Sequence, residues 1–196
     1  MFGRGSRPSY VIVGLGNPGP AYAKTRHNLG ANLVEKMANE LGVELKRTRA
    51  QARVAEAELE GSAVVLAVPT TYVNESGRPV ARLVRKQGIK PQQLVIVHDE
   101  LDLAPGVVRL KDGGGTAGHN GLRSIEASIR SRDFLRLRLG VGKPPSKEEG
   151  ADHVLSKLAP RDRELIDGAI DRGVEGLRVL VREGLDVAMN QLHAGR

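Results

Sequence analysis

The sequence predicts a single α/β domain in which helices flank a central β-sheet. Short apolar runs rich in Val and Ile, at residues 10–13 and 94–98, are typical of buried strands. Elsewhere, Leu29, Leu33 and Met37 recur at helical spacing. A chain of 196 residues with 40% hydrophobic content is long enough to bury one core.

Composition restricts the class of protein. Residues 1–9 are basic and lack an apolar segment, so we expect a flexible tail rather than a signal peptide, followed by one domain over residues 10–196. No apolar run approaches the roughly 20 residues that cross a bilayer. The chain has no cysteine, which excludes disulfides and thiol chemistry and suits a cytoplasmic protein.

The charge of the chain favours an anionic partner. The net charge is +7 and the pI is near 10.0, and a basic surface attracts polyanions. Aromatic residues make up only 3% of the chain, so phosphate contacts are expected rather than stacking on many bases. Net charge also favours solubility, and charge alone does not separate the two explanations.

A glycine-rich turn follows the first predicted strand. The glycines of residues 14–19 match the dinucleotide fingerprint G-x-G-x-x-G. Pro18 and Pro20 remove N–H donors that a pyrophosphate would need. The next helix begins only near Asn28, too far along the chain to hold a phosphate at the turn. These features argue against a dinucleotide site.

His27 lies just before that helix, which we expect Asn28 to cap and Gly42 to end. The positive end of the helix dipole disfavours an imidazolium there. A neutral ring is the form that a general base needs. The alternative is that His27 only packs at the helix entrance.

Residues 54–59 and 63–68 predict a hairpin joined by Gly61 and Ser62. A loop then leads to a helix over residues 77–87, which Ser76 can cap. Asn74 lies between the strand end and this helix, where binding groups often occur in α/β proteins. It could equally be a turn residue.

Carboxylates follow the strand at residues 94–98. Asp99 comes directly after it, and a carboxylate beside a histidine can fix the tautomer of the ring and stabilise its charged form. Three acids near His98 could also suggest a metal site. No second cluster with ligand spacing accompanies them, so we expect no metal.

A second glycine-rich loop follows a short strand at residues 107–111. Residues 113–118 mimic a phosphate-binding loop, but His119 and Asn120 stand where that loop needs Lys and Ser or Thr. A nucleoside triphosphate site is therefore disfavoured. So many glycines still indicate either a mobile backbone or one that closely approaches its neighbours, and both suit the binding of a large ligand.

The last third of the chain predicts a basic strand and a long helix. Residues 134–141 alternate, which places Arg136 and Arg138 about 7 Å apart on one exposed face. They belong to the most concentrated positive patch, whose alternative explanation is a solvated strand face. The patch contains Arg130, Arg132, Arg136, Arg138, Lys143 and Lys147.

Residues 143–150 predict a loop. The helix after Pro160 should turn inward Leu165, Ile166, Ala169, Ile170, Val174, Leu177 and Val181. A short last helix is expected over residues 185–193.

The chain contains five motifs: GLGNPG at 14–19, TRHN at 25–28, PTTYVN at 69–74, HDELD at 98–102 and GHNGL at 118–122. In the order and approximate spacing of these motifs, the chain resembles bacterial-type peptidyl-tRNA hydrolases from about residue 10 to residue 193. Each motif alone is a weak signal, and all five together are highly specific.

The resemblance implies a monomeric α/β fold with a twisted mixed central sheet. It also implies an esterase that releases a peptide from the terminal ribose of tRNA without metal or cofactor. His27 would be the catalytic base and Asp99 its orienting partner. Substrate binding is implied for Asn17, Tyr22, Tyr72, Val73, Asn74 and Asn120, and tRNA phosphate binding for Lys111, Arg138 and Arg136.

One residue departs from the family pattern, which commonly has Met at the position of Val73. Val is shorter and stiffer than Met, so we expect a shallower peptide cleft and an altered peptide preference. The alternative function is a non-catalytic RNA-binding protein, like the organellar splicing factors that resemble this family. Retention of the polar site residues argues against that alternative.

Overall fold

A mixed β-sheet of seven strands forms the centre of the computed structural model, which describes residues 7–144, 146 and 149–194. The side chains of residues 151 and 161 are outside this description. The strands are β1 (Tyr10–Gly14), β2 (Lys46–Arg47), β3 (Ala52–Leu59), β4 (Ser62–Pro69), β5 (Leu94–Glu100), β6 (Val108–Asp112) and β7 (Leu135–Gly140). The helices are α1 (Leu29–Glu40), α2 (Gly77–Gln87), α3 (Asn120–Ile129), α4 (Gly150–Leu155), α5 (Pro160–Glu183) and α6 (Leu185–Ala194).

The strand order β2-β3-β4-β1-β5-β7-β6 places the parallel strands in the middle. β1 pairs in parallel with β4 and β5, and β5 pairs in parallel with β7. The antiparallel pairs lie toward the edges. The sequence prediction of an α/β domain with a mixed central sheet is therefore confirmed.

Helices cover both faces of the sheet because alternate strand residues point to opposite sides. Ile12 packs with residues of α1, α5 and α6 on one face. Val11 and Val13 pack with residues of α2 and α3 on the other. The resulting three layers bury the apolar runs from which the strands were predicted.

The predicted hairpin is present, but its turn is one residue earlier than expected. Leu59 pairs with Ser62, so Glu60 and Gly61 form the turn. Both have positive φ, at 49° and 74°, as a two-residue hairpin turn of the twisted type requires.

The expected cap of α2 is also different. Ser76 precedes the helix, but its side chain makes no capping hydrogen bond, and its buried Oγ has no partner among the described residues. Ser124 of α3 accepts from the Gly77 N–H at 2.9 Å instead. Ser124, which is distant in sequence, thus accepts a hydrogen bond at the start of α2 in place of the neighbouring Ser76.

Near the C-terminus, one predicted side-chain orientation is wrong and one helix was not predicted. Leu165 is 53% exposed rather than inward, whereas Ile166, Ala169 and Leu177 are buried as predicted. The predicted loop ends at residue 150 and no element is predicted for residues 151–158, whereas residues 150–155 form α4. This helix matters because it lines the cavity described below.

The expected tail is only partly described. Residues 1–6 lie outside the described residues, as does Lys147 of the basic patch. Ser9 N donates to Ala63 O at 2.8 Å, and Pro8 is buried. None of the helices in the described ranges has the length and apolar character that a bilayer-spanning segment requires.

Candidate active site

The carboxyl ends of the parallel strands share one edge of the sheet, and a cavity of about 1000 Å³ opens there. β1 ends at Gly14, β4 at Pro69 and β5 at Glu100. Ligands commonly bind at this edge in α/β proteins, because the loops after the strands converge there.

The structure brings together eight of the residues singled out in the sequence. The cavity is lined by His27, Asp99, Asn17, Tyr22, Tyr72, Val73, Asn74 and Asn120. They come from the segments after β1 and β4, from the end of β5 itself, from the turn before α1 and from the start of α3. Their proximity is a finding, whereas their individual roles remain predictions.

His27 lies in a single turn of 3-10 helix, Arg26–Asn28, directly before α1. α1 approaches the sheet very closely, because a Cβ on Gly30 would lie 2.1 Å from Val97 O. Only glycine permits this approach. The contact fixes His27 above the end of β5, where Asp99 lies.

The Asp99 carboxylate holds the His27 ring with both oxygens. Nδ1 of His27 lies 2.9 Å from Oδ1 and 3.0 Å from Oδ2. Because a carboxylate can only accept, Nδ1 carries the proton and Nε2 carries the lone pair of the neutral ring. Nε2 has no hydrogen-bond partner among the described residues, so the basic nitrogen is available to a ligand or a water molecule.

His119 is a second donor to the same carboxylate, and the sequence reasoning assigned it no role. It is the N-cap of α3, and its Nδ1 accepts from the N–H groups of Gly121 and Leu122 at 3.1 and 3.4 Å. Its proton must therefore be on Nε2, which lies 3.1 Å from Asp99 Oδ1. The capping role fixes the tautomer of His119.

Burial and hydrogen bonding act in opposite directions on Asp99. Its burial raises the pKa, but the electrostatic interactions and hydrogen bonds of His119 and His27 outweigh burial and hold the pKa below its usual range. The carboxylate is therefore ionised at neutral pH. It is 2% exposed, so solvent screens its interactions with the two rings only weakly.

His98 is a buried neutral ring behind His119. Its Nδ1 donates to Asp99 O at 2.6 Å, and its Nε2 has no hydrogen-bond partner among the described residues. Burial, together with the proximity of His119, lowers the pKa of His98 to about 3. The His98 and His119 rings meet edge to face, with their centroids 4.9 Å apart. The uncharged His98 ring therefore packs against His119, which in turn contacts Asp99.

Asn17 is oriented by the backbone around it. Its Oδ1 accepts from Val73 N at 2.9 Å, which leaves its side-chain NH₂ for other partners. Asn28 bonds the backbone of Asn17 twice, accepting from N and donating to O, both at 2.9 Å. The prediction that the Asn28 side chain caps α1 is therefore wrong, because that side chain supports the asparagine loop instead.

Apolar side chains form the outer part of the cavity. Tyr22 and Tyr72 meet edge to face with centroids 6.2 Å apart, and Tyr72 is 52% exposed. Leu155 of α4 lines the same cavity. Arg26 anchors the end of α4 by donating to Ser156 Oγ at 2.6 Å and to Lys157 O at 2.9 Å. The sequence did not predict α4, because six residues are too few to show a helical period.

The three basic residues expected to bind phosphate lie on β6 and β7 and do not line the cavity. Lys111 is exposed, and Arg138 donates to Glu100 Oε2 at 2.9 Å. Arg136 is 2% exposed. The prediction of an exposed arginine face is wrong at Arg136, because the glycine-rich loop covers it and accepts its hydrogen bonds.

Asp99 and the two histidines that contact it are also residue types that bind metal ions. His27, Asp99 and His119 offer ligand atoms within 4.8 Å of one another. In the hydrogen-bonded arrangement, both histidine N–H groups point at the carboxylate, and a metal would have to displace those two protons. Hydrogen bonding alone accounts for the geometry, and the expectation of no metal stays a prediction.

Comparison with known proteins identifies a family. Residues 11–196 match the family model described as peptidyl-tRNA hydrolase. A curated protein named peptidyl-tRNA hydrolase from Nocardia farcinica is 42% identical over 194 residues, covering 98% of this chain and 100% of its own length. One of the same name from Vibrio parahaemolyticus is 43% identical over 190 residues, covering 96% and 97%.

Solved structures show the same fold. A crystal structure of peptidyl-tRNA hydrolase from Acinetobacter baumannii superposes with a TM-score of 0.92 at 45% sequence identity. The match covers 97% of this chain and 98% of that one. A crystal structure described as a complex of peptidyl-tRNA hydrolase with N-propanol matches with the same TM-score and identity.

Proposed function

This chain belongs to the peptidyl-tRNA hydrolase family, enzymes that act on peptidyl-tRNA, and we propose on that premise how its residues perform the reaction. The reaction is hydrolysis of the ester that joins the C-terminus of a peptide, or an N-blocked amino acid, to the 3′-terminal ribose of tRNA. The observation that carries the mechanism is the pair of contacts between His27 Nδ1 and Asp99. The comparisons give no support to a non-catalytic RNA-binding role.

His27 is the general base in this mechanism. Its Nε2 takes a proton from a water molecule as the water oxygen attacks the ester carbonyl. The tetrahedral intermediate then expels the ribose oxygen, which takes that proton back from His27. Asp99 stabilises the imidazolium between the two steps and keeps Nε2 as the basic nitrogen throughout.

His119 supports the pair by donating a second hydrogen bond to the carboxylate. Asp99 receives hydrogen bonds from both His27 and His119. A carboxylate fixed on two sides cannot rotate away from His27, so the orientation of the base is set before substrate binds. No metal or cofactor is needed, because an ester is sufficiently activated for attack by a positioned water.

The asparagines bind the polar groups of the substrate. An amide side chain offers both donors and an acceptor without net charge, which suits peptide amides and ribose hydroxyls. Asn74 and Asn120 are exposed in the cavity, and either can donate to the oxyanion that develops on the ester carbonyl. Asn17 presents its free NH₂, since Val73 occupies its oxygen.

The peptide lies against the apolar wall. Tyr22, Tyr72 and Val73 line the cavity, and Tyr72 is exposed enough to cover a bound side chain. A short Val73 leaves this wall shallower than a methionine would. The peptide preference should therefore differ from that of relatives with Met at this position.

The basic edge of the sheet holds the tRNA. Lys111 and Arg138 bind the phosphate at the 5′ end of the acceptor stem, whose other strand carries the ester. Arg138 is held by Glu100, and Glu100 lines the cavity. The phosphate site is therefore physically connected to the reaction site. The net charge of +7 adds a general attraction for tRNA.

The purified protein should release N-acetyl-amino acid from N-acetyl-aminoacyl-tRNA and leave a free 3′-terminal ribose. We propose that it does so as a monomer of 21.1 kDa in the cytoplasm. Light scattering during size-exclusion chromatography measures the mass of the particle. Binding of the substrate without release of product would contradict the proposed function.

A further inference from the structure

Arg136 is a buried cation that holds the glycine-rich loop by its backbone. Nη1 donates to Gly115 O and Nη2 donates to Gly114 O, each at 2.6 Å. The residue lies on β7, between β5 and β6, and is 2% exposed. Its guanidinium therefore spans from the rigid sheet to two consecutive carbonyls of a loop.

Arg136 has no carboxylate at ion-pair distance in the described part of the chain. None of the ion pairs among the described residues includes it, and its Nε is buried without a hydrogen-bond partner there. The guanidinium carbon lies 4.6 Å from the centroid of the Phe134 ring. Burying a charge is costly unless polar groups compensate it. The two carbonyls, the ring and the more distant carboxylates of Glu126 and Glu100 share that compensation, and moving the loop away would remove both hydrogen bonds of the guanidinium.

Lys111 lies beside the same glycine. It pairs with Arg136 across β6 and β7, so both side chains emerge on one face of the sheet. A Cβ added at Gly114 would lie 2.8 Å from Lys111 Nζ and 3.4 Å from Arg136 Nη1. A side chain at this point would therefore push the flexible tip of Lys111 out of its present position.

We propose that Arg136 is a positioning residue that clamps Gly114 and Gly115 and so places the Lys111 ammonium for the 5′-phosphate of tRNA. This inference rests on the phosphate site proposed above and assigns it a further residue. Arg136 does not touch the phosphate, because it is buried and both Nη atoms already donate to the loop.

An arginine is required for this role. Two donors in one plane match two consecutive carbonyls, and a lysine ammonium cannot reproduce that fork. Arg136→Lys thus keeps the charge and removes the clamp. Gly114→Ala affects Lys111 independently, because its Cβ would take the space of the lysine tip and its φ of 108° is strained for alanine.

The test compares two substrates that differ only at the phosphate. N-acetyl-aminoacyl-tRNA is prepared with a 5′-phosphate and, after phosphatase treatment, with a 5′-hydroxyl. The measured quantity is the ratio of kcat/KM for the two. We expect wild type to prefer the phosphorylated substrate about tenfold, as loss of one charged contact implies, and Lys111→Ala to lower that preference.

Arg136→Lys and Gly114→Ala should lower the ratio toward the Lys111→Ala value, mainly through KM on the phosphorylated substrate. The double variant Lys111→Ala/Arg136→Lys should have the ratio of Lys111→Ala alone, since Arg136 acts through Lys111. A purely structural defect would instead lower both kcat/KM values together and leave their ratio unchanged.

Two matched controls should keep the wild-type ratio. Gly115→Ala is the neighbouring substitution, and its Cβ would meet nothing within 4 Å. Arg172→Lys is the same change at an arginine that donates to the carbonyl of another loop glycine, Gly106. If Arg136→Lys does not fold, Arg136→Gln takes its place in the same comparison, because its single amide nitrogen cannot reproduce the two-pronged contact with both carbonyls.

The outcomes distinguish failure of the positioning role of Arg136 from failure of the phosphate site. If Lys111→Ala loses the preference while Arg136→Lys and Gly114→Ala keep it, the positioning role is overturned and the phosphate site stands. If wild type shows no preference, or Lys111→Ala retains it in full, the phosphate site is wrong and the positioning role fails with it.

Discussion

His119 donates from Nε2 to Oδ1 of Asp99 at 3.1 Å, although it is also the N-cap of α3. The two roles use different ring nitrogens and are compatible only in one neutral tautomer. The start of a helix therefore fixes a proton that points at the carboxylate behind the candidate base. Helix capping and the proposed catalysis are coupled in this single side chain.

The two roles of His119 can be separated by substitution. Asn is a good N-cap, so His119→Asn should unfold at the same urea concentration as wild type, whereas His119→Ala should lose about 1 kcal/mol of stability. Neither side chain reaches Asp99 as the imidazole does, and both variants should lose about tenfold in kcat, equivalent to ~1.4 kcal/mol. Equal kcat in wild type and His119→Asn would show that the Asp99 contact has no catalytic consequence.

Asp99→Asn should reduce kcat by about 10²–10⁴-fold with little change in KM. Oδ1 accepts from both histidines while Oδ2 faces His27 alone, so an amide NH₂ at either position meets an N–H group. His27 would then turn or change tautomer and lose its basic Nε2. Steady-state kinetics on N-acetyl-aminoacyl-tRNA measures the effect.

Asp102→Asn is the control for that experiment. Asp102 also lines the cavity, but its carboxylate is 54% exposed and pairs with Lys143. Its loss should change kcat by no more than a few fold. A similar loss in both variants would assign the effect to local negative charge rather than to the orientation of His27.

Arg138→Ala should raise KM and leave kcat nearly unchanged, because it removes a tRNA contact that is present in the ground state. The plot of log kcat/KM against log salt concentration should become flatter by about one unit for one lost phosphate contact. Measurements at several salt concentrations check this. An unchanged slope would mean that Arg138 serves only to hold Glu100.

His98 predicts a pH dependence of stability. Its pKa in the folded protein is about 3, below the usual value of about 6.5 for an unfolded chain. Between these values the unfolded chain binds the extra proton, so stability falls as the pH drops from about 6.5 toward 3. Urea unfolding from pH 7 to pH 4 should show a smaller decrease in His98→Asn, whose amide can still donate to Asp99 O. An equal decrease in both proteins would refute the assignment.

Much of the fold follows from local patterns in the sequence. The apolar run at residues 94–98 became a strand buried at every position, and the helical spacing from Leu29 to Met37 became α1. Local patterns suffice here because a strand covered on both faces must be apolar throughout. Grouping His27, Asp99 and the asparagines at one cavity depended on the family resemblance, since local patterns left each residue with a second explanation.

The errors have a common physical cause in contacts between distant residues. Alternation along residues 134–141 shows which side chains share a face, but it does not show that the loop at residues 113–118 covers Arg136. Asn28 and Ser76 occupy capping positions. The Asn28 side chain instead bonds the backbone of Asn17, and Ser124 rather than Ser76 accepts from the N–H at the start of α2. Asn17 is 11 positions from Asn28, and Ser124 is 48 positions from Ser76. Local sequence patterns cannot predict contacts between residues so far apart in the chain.

The central claim is that a neutral His27, oriented by Asp99, removes the proton from the attacking water. It is tested most directly by single-turnover hydrolysis of N-acetyl-aminoacyl-tRNA with saturating enzyme, because this isolates the chemical step from binding. His27→Ala should bind the substrate with little change in Kd and cleave it at least about 10²-fold more slowly than wild type. A His27→Ala enzyme that cleaves bound substrate within a few fold of the wild-type rate would contradict the account.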